Sequence, residues 1–84
     1  MKYRVYILYS EQLDRYYIGH TGEHLEERLR RHLSNHSGFT SKAKDWVVKY
    51  SEDYTTKGEA YAQEMQIKKK KSKLYIQKLI SSAG

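Results

Sequence analysis

No cysteine occurs among the 84 residues. That absence excludes a disulfide framework and a thiolate metal site, so packing alone must hold the fold, as suits a reducing compartment. Long apolar runs are missing too: nothing approaches the roughly 18 residues that a membrane span needs. The opening Met1-Lys2-Tyr3-Arg4-Val5 leads into too short an apolar stretch for a signal peptide. A soluble, cytoplasmic protein with no membrane partner is therefore expected. There is no Gly-rich phosphate loop, no serine elbow and no cofactor fingerprint. The length allows one small domain, 1–84, which buries only about 60% of the surface its unfolded chain exposes.

Acid is absent from the whole C-terminal end. Residues 1–64 carry ten basic and ten acidic side chains, which cancel, and everything after Glu64 contributes only Lys68, Lys69, Lys70, Lys71, Lys73 and Lys78 to the net charge of +6. Such a run reads either as a localised surface for polyanions or as a solvated lysine-rich helix face. Nine of the eleven aromatics are tyrosine, a residue that packs and still presents a hydroxyl.

Residues 3–9 alternate, with Tyr3, Val5, Ile7 and Tyr9 on one face and Arg4, Tyr6 and Leu8 on the other, which predicts a strand. Residues 15–20 form a second. The short link Ser10-Glu11-Gln12-Leu13 makes the pair a hairpin and sets Tyr6 opposite Tyr17, both hydroxyls leaving one face. A helix is predicted over 23–36, with Leu25, Leu29, His32 and His36 on one stripe and Arg30 and Arg31 turned outward. Residues 37–41 read as a loop. A third strand at about 46–50 alternates Trp46, Val48 and Tyr50 with Val47 and Lys49. Thr55, Thr56 or Gly58 opens a helix over about 58–71, and a last helical segment follows Ser72. The order β-β-α-β-α-α makes an α+β fold, a three-stranded antiparallel or mixed sheet flanked by helices.

The helix after residue 58 places Ala60, Glu64, Ile67 and Lys71 within roughly 60° of arc. A carboxylate in the inward stripe must be compensated, because an unpaired buried charge costs several kcal/mol. Glu64 should thus either pair with a cation or bind a metal, and the helix alone does not choose. In the first helix Arg28 and His32 flank the Leu25 and Leu29 stripe, which reads as two proton-handling groups beside the core or as a surface arginine and a core histidine. His32 and His36 have the spacing of a zinc pair, but no third ligand accompanies them.

Val5-Tyr6 in the first strand resembles the end of a GIY element, and Tyr17-Ile18-Gly19 matches YIG. Leu25 to His32 resembles an arginine and histidine helix, and Glu59-Ala60 through Glu64 to Lys68 a glutamate helix. Together these resemble the GIY-YIG endonuclease family over about residues 3–80. The likeness is nearest to its small standalone members, related to the N-terminal nuclease domain of the UvrC excision-repair subunit. Arg4 stands where the family name has glycine.

The resemblance implies a metal-dependent endonuclease that hydrolyses phosphodiester bonds of nucleic acid, with DNA expected, in repair or recombination. It also implies the roles. Glu64 would hold one divalent cation, Mg2+ or Mn2+, and Arg28 would clamp a phosphate oxygen. Tyr6 would be the base, with Tyr17 and His32 positioning or relaying the proton. The base role asks the metal and Arg28 to favour the phenolate. Gly19 would leave room for the phosphate to approach. Arg30, Arg31, Lys68, Lys69, Lys70, Lys71 and Lys73 would meet phosphates without reading bases, and a protein partner would supply specificity. The main alternative is a nucleic-acid-binding module that kept the fold and lost turnover, with Glu64 as an ion-pair partner. A third reading, a protein-interaction domain with a lysine-rich tail, gives no reason for Tyr6, Tyr17, Arg28, His32 and Glu64 to occur together.

If about four phosphates are neutralised, log affinity for DNA falls against log salt with a slope near −3.6. A salt titration that returns a flat response removes the basic segment from the binding surface.

Overall fold

A computed structural model describes residues 2–34 and 42–83, the side chains of His32 and Ala83 excepted. The predicted 37–41 loop and His36, and with them the zinc pairing, lie outside the described residues. The elements are β1 (Tyr3–Ser10), β2 (Arg15–Thr21), α1 (Leu25–Ser34), β3 (Val47–Tyr54), α2 (Lys57–Lys70) and α3 (Lys73–Ala83). The expected order is observed, and the sheet is wholly antiparallel with strand order β2-β1-β3. Among the described residues no helix is long and apolar enough to cross a membrane.

β1 is the central strand, and Val5, Tyr6, Ile7 and Leu8 are all buried. Its alternation sorts them into two layers. Val5 and Ile7 pack with Ala60 and Ile67 of α2 and Ile76 of α3. Tyr6 and Leu8 pack with Ala43, Trp46 and the Leu25, Leu29 and Leu33 stripe of α1. The sheet is therefore covered by α1 on one face and by α2 and α3 on the other.

Two register details correct the sequence reading. The turn is Glu11 to Asp14, and Ser10 pairs with Arg15, so Tyr6 faces Gly19 and Tyr17 faces Leu8. Asp14 closes the turn in the left-handed region, at φ 51°, which Asp tolerates better than most residues. The Asp45 carboxylate clamps the turn, accepting from Ser10 Oγ at 2.5 Å and from the Gln12 amide at 2.8 Å. Tyr6 and Tyr17 nonetheless leave the same face, two residues apart along the sheet.

The second correction lies in β3. Ile7 pairs with Tyr50 but Leu8 with Val48, so the register slips between them and Lys49 is the extra residue of a bulge. The bulge sends Val48 to the α1 layer and Tyr50 to the α2 layer, where strict alternation had both on one face. Trp46 precedes the strand and fills the α1 layer at 2% exposure.

Thr56 caps α2 with a reciprocal capping box to Glu59, the reason the helix begins at residue 57. Lys71 ends it in the left-handed region at φ 49°. It is thus exposed at the C-cap rather than on the inward stripe, which keeps Ala60, Glu64 and Ile67.

Truncating the central strand tests this layering. Ile7→Ala should cost about 2–5 kcal/mol of unfolding free energy in a urea titration; a loss below about 0.5 kcal/mol contradicts a strand buried on both faces.

Candidate active site

A buried tyrosine hydroxyl needs a hydrogen-bond partner. Tyr6 is 1% exposed, and Arg28, in the first turns of α1, donates from Nε to Tyr6 Oη at 3.2 Å. Opposite Tyr6 stands Gly19, where an added Cβ would lie 2.6 Å from Tyr6 Oη and 2.8 Å from its Cζ. The glycine is thus required by a neighbouring side chain, a reason the sequence did not disclose. The Tyr17 ring lies on the same face, its centroid 6.5 Å from that of Tyr6 and its plane tilted by 34°. Tyr6, Tyr17, Gly19 and Arg28 come together on the α1 side. His32 sits one turn beyond Arg28, and its side chain is outside the described residues.

Burial raises the Tyr6 phenol, while the Arg28 hydrogen bond and charge pull it down; Tyr17 and, more weakly, Glu64 add to the rise. The net direction is upward. The pull expected from Arg28 is present but smaller than the effect of burial, so Tyr6 is a neutral phenol here at neutral pH.

Glu64 approaches from the other face, on α2 between Ala60 and Ile67, and is 6% exposed. His20 Nδ1 is 2.5 Å from its Oε1, and Lys68 Nζ donates to its Oε2 at 2.7 Å. Burial pushes the carboxyl up, but the hydrogen bonds and charge of Lys68 and His20 outweigh it and hold the group below its ordinary value. Glu64 is therefore ionised at neutral pH. Of the two sequence readings of Glu64, pairing is the arrangement present. A metal is compatible with it: each carboxylate oxygen has two lone-pair directions, and one partner occupies each.

His20 links the two faces. It follows Gly19 in β2, alternates to the α2 side, and meets Tyr61 edge-on at 5.7 Å between centroids. It also lines a cleft of about 420 Å3 at the end of β2, together with Thr21, Glu23, Arg28, Arg31 and Lys57. Sequence reasoning passed over His20 and Lys57. The signal for His20 was available, since alternation along β2 puts it on the face opposite Tyr17, the face that α2 covers.

The expected phosphate contacts are at the surface, and most already hold acids. Arg30 pairs with Glu27 at 2.6 Å, Arg31 with Glu23 at 3.4 Å and Lys73 with Asp14 at 2.7 Å. Exposed pairs of this kind are worth about 0–1 kcal/mol, so a phosphate can replace the acid. Lys70 lies over the Tyr75 ring at 5.6 Å, and Lys69 and Lys71 are exposed. Lys71 and Lys73, with Arg15 and Lys68, line a second hollow of about 280 Å3 floored by Ile67 and Ile76.

A family model described as the GIY-YIG catalytic domain matches residues 2–79. The chain belongs to the GIY-YIG family. No curated protein and no solved structure matches it. Membership of the GIY-YIG family indicates a nuclease-type function with nucleic acid as substrate, and GIY-YIG nucleases are generally dependent on a divalent metal.

The packing of Tyr6 over Gly19 has a measurable consequence. Gly19→Ala should lose about 1–3 kcal/mol by overpacking. Gly58→Ala, where an added Cβ meets nothing within 4 Å, should be neutral or gain up to about 1 kcal/mol. Equal effects of the two substitutions in urea unfolding would show that Tyr6 yields freely.

Proposed function

We propose that the chain is a metal-dependent endonuclease that cuts the phosphodiester backbone of DNA, cytoplasmic and serving repair or recombination, of the kind of the small standalone members related to the UvrC nuclease domain. One observation carries this reading: an ionised, buried Glu64 and the Arg28–Tyr6 contact lie on either side of the same two residues, Gly19 and His20, at the end of β2.

Glu64 would hold the cation, Mg2+ or Mn2+. As an oxygen ligand it suits an ion that keeps several waters and takes only one or two carboxylates. When bound, the cation supplies Lewis-acid stabilisation of charge on the phosphate and the leaving oxygen.

Arg28 binds a non-bridging phosphate oxygen, its planar guanidinium directed by the contact with Tyr6. Tyr6 Oη accepts the proton of the attacking water, and Tyr17 and His32 position that water or pass the proton on. Because burial raises the Tyr6 phenol, only a small fraction is basic at neutral pH. Gly19 leaves the Tyr6 hydroxyl in place and the backbone open to the phosphate. Arg30, Arg31, Lys68, Lys69, Lys70, Lys71 and Lys73 hold the flanking backbone without reading sequence, and a protein partner supplies specificity.

The inactive binding module is favoured by one observation, that both Glu64 oxygens already have cationic or polar partners. Cleavage decides between the two. Mg2+ or Mn2+ should stimulate nicking of supercoiled, branched or flapped DNA, and the rate should rise with pH across pH 7–9, up to about tenfold per unit for a base whose pKa lies higher. Glu64→Ala should abolish cleavage without unfolding the domain. Binding without cleavage on every such substrate establishes the module instead.

A further inference from the structure

The two partners of Glu64 line two different hollows among the described residues. The partner at Oε1, His20, lines the cleft of Arg28, and the partner at Oε2, Lys68, lines the lysine hollow at the other end of β2. The two partners differ in freedom. His20 is a short side chain, 21% exposed and packed against Tyr61. Lys68 is 43% exposed and reaches Glu64 from one helical turn away on the same helix, on a stem with four rotatable bonds.

From this we infer that Lys68 is an exchangeable counter-cation: it neutralises Glu64 while the metal is absent and moves into the lysine hollow, to meet a substrate phosphate, when a divalent cation takes the carboxylate. The inference rests on the proposed metal site at Glu64. Its physical basis is simple. An ammonium held at 2.7 Å from Oε2 would lie within a few ångströms of a doubly charged ion on the same carboxylate. Like charges so close in a partly desolvated site repel strongly. A buried carboxylate, for its part, is costly to leave uncompensated. The lysine compensates it without the metal, and its exposed stem lets the lysine leave without unpacking the core. Its release adds one phosphate contact next to Arg15, Lys71 and Lys73, the last of which a phosphate must share with its exposed partner Asp14 on the same wall, so metal binding and strand binding assist each other, as linkage requires of any shared group.

The test is a Mn2+ titration followed by the electron paramagnetic resonance signal of the free ion. It compares the unaltered chain with Lys68→Met, Lys68→Gln and Glu64→Gln. With the competitor removed, both Lys68 variants should bind Mn2+ about fivefold more tightly, which is about 1 kcal/mol at 1.4 kcal/mol per decade. Glu64→Gln should abolish the site. Unchanged or weaker Mn2+ binding in the Lys68 variants, with binding still lost in Glu64→Gln, overturns the exchange and leaves the metal site standing. Binding that survives Glu64→Gln overturns both. A second measurement follows the salt slope for DNA in metal-free buffer. Glu64→Gln, which frees the lysine, should steepen that slope by about 0.9, and the double variant should restore it. A shallower slope for Lys68→Met alone would show that Lys68 already contacts phosphate, and the exchange would fail.

Discussion

Four successive residues of one strand, Val5 to Leu8, are buried, and because a strand alternates its side chains, cover is needed on both faces of the sheet. The rest of the architecture answers that demand. Ile7 and Val5 call for the apolar side of α2 and α3, and Leu8 and Tyr6 for α1 and Trp46. Tyr6 adds a polar requirement, because its hydroxyl goes under with the ring. Arg28 meets it, and Gly19 makes the space. The contact of Arg28 and Gly19 with Tyr6 is thus the geometry by which a tyrosine is packed in a central strand.

The second polar demand comes from Glu64. A carboxylate on the inward side of α2 would be costly alone, and the structure compensates it with one group from the facing strand and one from its own helix. These contacts keep it ionised against the effect of burial. An ionised, desolvated carboxylate with coordination capacity to spare is the chemical prerequisite for a hard cation. The same contacts are what an ion-paired structural glutamate would make, so the fold is consistent before any metal binds.

Much of this was legible in the sequence. Period-two alternation marked β1, and the face of α2 marked Ala60, Glu64 and Ile67, because local periodicity is written residue by residue. The register was not. Whether the hairpin closes at Ser10 and Arg15 depends on Asp14 adopting a left-handed conformation and on Asp45, more than thirty residues away, clamping the turn. The bulge at Lys49 is likewise a property of the pair of strands rather than of either one. Alternation along β2 could have placed His20 on the α2 face, but its pairing with Glu64 exists only once α2 is laid on β2. The direction of the Tyr6 shift was also out of reach, since it turns on how deeply the ring is buried.

The proposed chemistry requires Glu64 and Arg28 to serve one phosphate. A crystal structure with Mn2+ and a short DNA duplex, read through the anomalous signal of manganese, tests it most directly. The expected result is a manganese peak on a Glu64 oxygen, with the ion and Arg28 both touching the same backbone phosphate. Manganese bound elsewhere, with Glu64 still held by His20 and Lys68 and no phosphate at Arg28, would contradict it.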